Sequence, residues 1–245
     1  MDRLATFVLC HDAWEGGWAW QETALALQAA GHEVYRPTLT GLGERRHLGH
    51  RGVDLALHRQ DLLQVLVYED LQDVVLVGHG YGAMVATGVA DDAPERLRLL
   101  VLLDPYLPQS GQSFLDLFRE TLIPEQLVGE ARAYGEGWRI TPPLPPEDVR
   151  VAEQPLATLM QPLLLRHPPR VPRRVVGCSL RGTTPFYRPI ADAVASLARE
   201  GVPLREIACG HRAPAEAPQE LGQVLLEILA AAGDGPKIDA LEKED

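Results

Sequence analysis

The chain is poor in cysteine and contains no long hydrophobic run. Only three of its 245 residues are cysteine (Cys10, Cys178 and Cys209), and each lies at or near a predicted strand end. We interpret them as buried thiols in a reducing compartment, because neither Cys10 nor Cys209 lies in a recognised nucleophile turn. No apolar stretch approaches the 18 residues of a membrane span, and no signal-peptide pattern opens the chain. These absences predict a cytoplasmic protein.

Basic residues are also scarce relative to acidic ones. The chain has 23 Lys and Arg against 34 Asp and Glu, which gives a formal net charge of −11. This balance argues against nucleic acid or an anionic membrane surface as a partner. A chain of this length can bury the core of one large domain.

The hydrophobic pattern alternates between short strands and helices. Leu99–Leu103 is a continuous apolar run, typical of a parallel strand buried on both faces. A helix is predicted at 20–30, where Gly31 ends it. The predicted strands lie at 4–10, 33–36, 73–77, 97–103, 173–178 and 204–207. The predicted fold class is therefore α/β, with a mostly parallel central sheet.

A nucleophile is missing where the pattern predicts one. Residues 73–85 read DVVLVGHGYGAMV, in which an apolar strand runs into Gly78 and a helix opens at Tyr81. This is the strand–turn–helix context of the G-x-S-x-G nucleophile elbow, with Gly80 at the serine position. Taken alone, the glycines could be close-packing or turn residues. The dinucleotide fingerprint fails, because its third glycine would fall at Ala83.

Several further motifs occur in a fixed order along the chain. They read HDAWEGGW at 11–18, PTLTGLGER at 37–45, LDPYLP at 103–108 and GH at 210–211. Together with the elbow they resemble the cofactor-free α/β-hydrolases of the plant methylesterase and hydroxynitrile-lyase type, in their bacterial branch, over roughly residues 4–230. The chain departs from that pattern at Asp12, where the family has glycine, and at Gly80.

The resemblance implies an α/β-hydrolase core over 1–108 and 173–232. The proline-rich stretch 109–172 breaks the alternation and is interpreted as an inserted helical lid. The charged segment 233–245 is interpreted as a flexible C-terminal tail. Five apolar residues are expected to line a substrate pocket, unless they only pack a small core of the lid: Trp14, Phe114, Phe118, Trp138 and Met160.

The resemblance also implies the catalytic groups. His211 takes the last place in the chain order of nucleophile, acid and base, and acts as the base. Asp104 is its orienter, although it could instead only cap a loop. The backbone N–H groups of Ala13 and Tyr81 would form the oxyanion hole. Asp12 is either a second proton-transfer group or a side chain that points into solvent.

No cofactor and no metal are expected. His79, beside the elbow, is interpreted as structural. His47 and His50 form an H-x-x-H pair, but their loop supplies neither a third ligand nor a rigid helix. A solvated loop is the preferred interpretation of this pair.

Three explanations of Gly80 remain open: an esterase with a nucleophile knockout, a ligand-binding pseudoenzyme, and an enzyme that works without covalent catalysis. We favour the last, in which His211 and Asp104 move a proton while the oxyanion hole holds a developing enolate or phenolate. The expected partner is a small hydrophobic carbonyl compound, such as a polyketide-like secondary metabolite, which would undergo cyclisation, dehydration, decarboxylation or C–C cleavage. Direct attack by water is a further option, and a homodimer is compatible with this interpretation. A serine restored at position 80 is expected to give weak ester hydrolysis.

Overall fold

The structure is a computed structural model of the chain and describes residues 4–142 and 149–232. Its strands are β1 Thr6–Cys10, β2 Glu33–Tyr35, β3 Val74–His79, β4 Leu97–Leu103, β5 Arg139–Ile140, β6 Gln154–Pro155, β7 Arg173–Cys178 and β8 Leu204–Ile207. Its α-helices are α1 Gln21–Ala29, α2 Leu55–Tyr68, α3 Tyr81–Asp92, α4 Ile123–Tyr134, α5 Leu156–Met160, α6 Arg188–Arg199, α7 Ala213–Glu216 and α8 Pro218–Ala232.

Six of the described strands form one parallel sheet. Their order is β2-β1-β3-β4-β7-β8, with β3 and β4 at the centre. All six residues of β3 are buried, which explains why its sequence is almost entirely apolar. The predicted strand positions and the mostly parallel sheet are confirmed.

Helices cover both faces of this sheet. On one face Val8 and Leu76 pack with residues of α2 and α3, and on the other Phe7 and Val75 pack with residues of α1 and α8. Successive strand residues alternate between the two cores, as the twofold repeat of a strand requires. The carboxyl ends of the parallel strands therefore meet at one edge, where functional groups of open α/β sheets collect.

The segment between β4 and β7 packs over that edge. The β5–β6 pair and α5 belong to it, and the N–H of Ala152 donates to the carbonyl of Trp14 at 2.8 Å. The Phe114 ring lies 6.4 Å from the ring of Tyr81, at the start of α3. This segment corresponds to the predicted lid, whose limits of 109 and 172 stay a prediction. The predicted tail at 233–245 lies outside the described residues.

None of the described helices has the length and hydropathy that a membrane crossing requires. A cytoplasmic location stays a prediction.

Three histidines, His11, His58 and His79, are completely buried in the core. His11 Nε2 accepts the Leu39 N–H at 3.1 Å, so that nitrogen carries no proton. Burial lowers the pKa of each of the three histidines to about 4.

We expect the free energy of unfolding to fall as the pH drops from 6.5 to 4. In this range the unfolded chain, whose histidine pKa is about 6.5, binds protons that the folded protein excludes, and one pKa unit is worth about 1.4 kcal/mol. The contribution of these neutral histidines to the free energy of unfolding is fully present above pH 6.5 and is lost as the pH falls toward 4. Urea unfolding at pH 7 and at pH 4.5 measures it, with His58→Gln flattening the dependence. Equal stability at both pH values would contradict the buried neutral state.

Candidate active site

The elbow at the end of β3 has the geometry that its sequence predicts. Gly80 has φ of 54° and ψ of −117°, and α3 begins at the next residue, Tyr81. A Cβ on Gly82 would lie 2.3 Å from the His11 carbonyl oxygen, so only glycine allows α3 to approach β1 this closely. The turn therefore aims any side chain at position 80 toward the carboxyl edge of the sheet.

The carboxylate of Asp12 fills the place of that side chain. A Cβ built on Gly80 would lie 2.1 Å from Asp12 Oδ1 and 2.3 Å from its Cγ. The Tyr81 N–H, one of the two predicted oxyanion donors, donates to Asp12 Oδ1 at 2.6 Å. Ala13, the other predicted donor, is buried beside Asp12 in the same loop. Asp12 is itself 8% exposed, so the alternative in which it points into solvent is wrong.

His211 lies between Asp12 and Asp104. Its Nε2 is 2.9 Å from Asp12 Oδ2, and its Nδ1 is 2.7 Å from Asp104 Oδ2. The other oxygen of Asp104 accepts the Cys178 N–H at 3.0 Å and the Arg181 Nε–H at 2.9 Å. The structure thus brings together all three predicted catalytic residues, and it adds Arg181. No sequence motif indicated a role for this arginine, which lies in the loop after β7.

The two carboxylates favour the charged form of His211. Burial alone would lower the pKa of His211, but the hydrogen bonds to Asp104 and Asp12 and their negative charges outweigh it and raise this pKa to about 10. Burial likewise opposes ionisation of Asp12, yet His211 lowers the pKa of Asp12 below its ordinary value. The two carboxylates therefore favour the imidazolium form of His211 at neutral pH. In that form His211 would first donate a proton, and its predicted role as the base stays a prediction.

Five aromatic side chains form a wall beside His211. The rings of Tyr187 and Tyr106 lie 5.2 and 5.8 Å from the His211 ring. Trp14 joins the wall through Phe186, with ring centroids 6.3 Å apart. The aromatic wall consists of Tyr106, Phe114, Phe118, Phe186 and Tyr187. Tyr106 could have been noticed inside the LDPYLP motif, whereas Phe186 and Tyr187 lie beyond the predicted lid.

The structure does not bring Trp138 and Met160 to this wall. Trp138 precedes β5, where Arg139 stacks on its ring at 5.1 Å and a Cβ on Gly49 would touch it at 3.4 Å. Met160 ends α5 and is 51% exposed. Hydrophobicity alone could not distinguish these residues from Phe114 and Phe118, because burial depends on how the inserted segment packs against the rest of the fold.

Glu15 is a further buried carboxyl group that the sequence did not single out. It follows Asp12 in the same loop, and its Oε1 lies 3.4 Å from Arg212 Nε. Burial and the charge of Asp12 raise the pKa of Glu15 to about 7. By contrast, His47 and His50 are exposed, as expected, although His47 lies in a short 3-10 helix at Gly43–Leu48 and not in a loop.

The chain belongs to the α/β-hydrolase family, whose model matches residues 7–224. It is 36% identical to a carbendazim-hydrolysing esterase of Nocardioides sp. (strain SG-4G), over 92% of this chain and all of that esterase. It is 31% identical to an α-hydroxynitrile lyase of Arabidopsis thaliana, over 45% of this chain and 43% of the lyase. A tomato methylketone synthase I variant complexed with β-ketoheptanoate shares the fold, with a TM-score of 0.75 and 16% identity over 95% of this chain and 99% of that one.

Proposed function

We propose that this protein is an enzyme that moves a proton on a small hydrophobic carbonyl compound without forming a covalent intermediate. The observation that carries the proposal is the Asp12 carboxylate, which occupies the place of a nucleophile and pairs with His211 at 2.9 Å. The position at which an esterase of this fold holds its attacking hydroxyl holds an acid–base pair instead.

The reactions that fit share one electronic demand. Decarboxylation, dehydration, cyclisation and C–C cleavage next to a carbonyl group all build negative charge on the carbonyl oxygen. The His211 imidazolium can stabilise that charge or protonate it, and Asp12 can then accept a proton. Because the Tyr81 N–H is bonded to Asp12, the cation replaces the backbone hole as the main stabilising group.

The aromatic wall indicates the polarity of the substrate. Phe114 and Phe118 are almost completely buried, and their rings lie 5.3 Å apart beside Tyr106. Binding sites for small molecules are mostly apolar, with a few convergent polar groups. Here the apolar groups are the aromatic rings and the polar groups are His211 and Asp12. This combination supports a hydrophobic carbonyl compound, such as a polyketide-like secondary metabolite.

The relatives suggest which compounds to test first. A β-keto acid is bound in the methylketone synthase structure, and loss of CO₂ from such a compound passes through an enolate. The hydroxynitrile lyase is a lyase on the same fold. The esterase, similar over its whole length, favours a second candidate: hydrolysis by a water molecule that the His211 site activates directly.

The test is turnover of a panel of medium-chain β-keto acids, β-hydroxy ketones, methyl esters and methyl carbamates, followed by NMR. Wild type is compared with His211→Ala, and the exposed-loop variant His47→Ala serves as the matched control. Loss of carbonyl-compound turnover only in His211→Ala supports the proposal. Turnover limited to esters or carbamates would instead establish the hydrolase. Ligand binding without any turnover would establish the pseudoenzyme.

We expect no covalent adduct with a serine-directed fluorophosphonate. Gly80 offers no nucleophilic atom, and such reagents need one. Mass spectrometry of the intact treated protein measures this. A stoichiometric adduct mapped to residues 78–82 would contradict the account.

An esterase that has merely lost its serine fits the geometry less well. The resemblance implies a glycine at position 12, whereas this chain has Asp12, whose Oδ1 lies 2.1 Å from where a Cβ on Gly80 would be. The two residues therefore fit each other as a pair, which replacement of one serine alone does not explain.

A further inference from the structure

We propose that Asp12, His79 and His211 form a binding site for one divalent first-row transition-metal ion, with Zn²⁺ as the probe. One ligand atom from each of the three residues lies within 4.8 Å of the others. Two imidazoles and one carboxylate are a common ligand set for such ions, which leaves further positions open. This inference goes beyond the proposed function and does not rest on it.

The second atom of each ligand is already held by a neighbour. His211 Nδ1 donates to Asp104 at 2.7 Å, which leaves Nε2 directed at Asp12. Asp12 Oδ1 accepts the Tyr81 N–H at 2.6 Å, which leaves Oδ2 for an ion. Histidines that bind metals usually donate their other ring N–H to a carboxylate or a backbone carbonyl, which orients the ring. The outer contacts of a metal site are therefore present.

His79 provides an independent observation. Its Nε2 is 2.8 Å from the His211 carbonyl oxygen, which can only accept, so Nε2 carries the proton. Nδ1 must then present a lone pair. Among the described residues this buried atom has no hydrogen-bond partner, although His79 is 0% exposed. One ring nitrogen of His79 lies within 4.8 Å of the other two ligand atoms, and Nδ1 is the nitrogen that is free to bind a cation.

Metal binding requires the ligand atoms to move and the shared proton to leave. A Zn²⁺ ion bound at about 2.0–2.1 Å needs ligand atoms about 3.4 Å apart. Asp12 Oδ2 and His211 Nε2 must therefore separate from their present 2.9 Å, and spacings as wide as 4.8 Å must shorten. The ion would take the place of the proton between Asp12 and His211, and two carboxylates would still face the cationic centre. With the ion bound, His211 no longer has a proton to donate, so the ion should inhibit the proposed proton transfer.

The test is equilibrium dialysis of the chelator-treated, full-length protein against Zn²⁺, with the bound metal counted by mass spectrometry. We expect one equivalent bound by wild type, and binding weakened by about tenfold or more in His79→Gln, which keeps a donor for the His211 carbonyl. His47→Gln is the control and should bind as wild type does. Failure of wild type to bind Zn²⁺, or unchanged affinity in His79→Gln, would overturn the site.

A second readout covers the case in which His79→Gln does not fold. Co²⁺ added to wild type should give the visible absorption of a four- or five-coordinate nitrogen and oxygen site, and Asp12→Asn should weaken it. The absence of such bands would also overturn the site. Both readouts measure metal binding alone, so a failed metal site and a failed proton-transfer function give different results.

Discussion

Gly80→Ser alone should give a destabilised protein that fluorophosphonate does not label, whereas Asp12→Gly combined with Gly80→Ser should be labelled. The new Cβ would lie 2.1 Å from Asp12 Oδ1, so the carboxylate would have to leave its hydrogen bonds to Tyr81 and His211. Charge-assisted bonds of this kind are worth about 1.5–3 kcal/mol each, so we expect the free energy of unfolding to fall by about 2 kcal/mol or more. The expectation that serine alone restores hydrolysis is thereby revised.

The double variant removes the Asp12 carboxylate and supplies a serine hydroxyl as the nucleophile. With glycine at position 12, the serine hydroxyl can reach His211, and the Tyr81 N–H becomes free for an oxyanion. Labelling by fluorophosphonate and hydrolysis of a small aryl ester measure the result, and Asp12→Gly alone is the matched control without a nucleophile. Rapid labelling of the single Gly80→Ser variant would show that Asp12 does not fill the elbow.

Replacement of His211 should have the largest effect on turnover. Removal of a positioned acid or base typically costs roughly 10²–10⁴ in rate, and here His211 bonds both carboxylates. Asp104→Asn should also lower turnover, because an amide at that position can hold the imidazole of His211 in the wrong tautomer. Initial rates on the substrate found in the panel measure both effects.

In these variants a loss of folding stability must be distinguished from a loss of catalytic turnover. His211→Ala leaves Asp12 and Asp104 buried without their shared cation, and breaking a buried ion pair can cost about 3–5 kcal/mol. His211→Gln keeps a polar group at that position and is compared at matched circular dichroism. Wild-type turnover in folded His211→Gln would show that His211 does not transfer the proton and would leave Asp12 as the remaining candidate.

The sequence predicted the sheet and the elbow because their determinants are local. Continuous apolar runs such as Leu99–Leu103 mark buried parallel strands. The glycines at 78 and 82 are required here because a Cβ at either position would collide with neighbouring backbone atoms. The positions of Asp104 and His211 followed from motif order, since both lie at the carboxyl ends of strands that meet at one edge.

The contacts that define the site could not be predicted, because they depend on rotamers and long-range packing. Asp12 and His211 are 199 residues apart, and no local pattern tells whether Asp12 turns inward. Arg181 contacts Asp104 across 77 residues of chain. The raised pKa of His211 depends on both carboxylates at once, so the sequence alone could not predict it.

The protonation state of His211 tests the central claim most directly. Histidine labelled with ¹⁵N reports by NMR whether one or both ring nitrogens carry protons, and His211→Gln identifies the signal. We expect both nitrogens of His211 to stay protonated from pH 6 to pH 8, and Asp12→Asn to lower its pKa, because one of the two carboxylates is then removed. A wild-type His211 that titrates near the ordinary value of about 6.5 and is neutral at pH 8 would contradict the charged pair at the elbow.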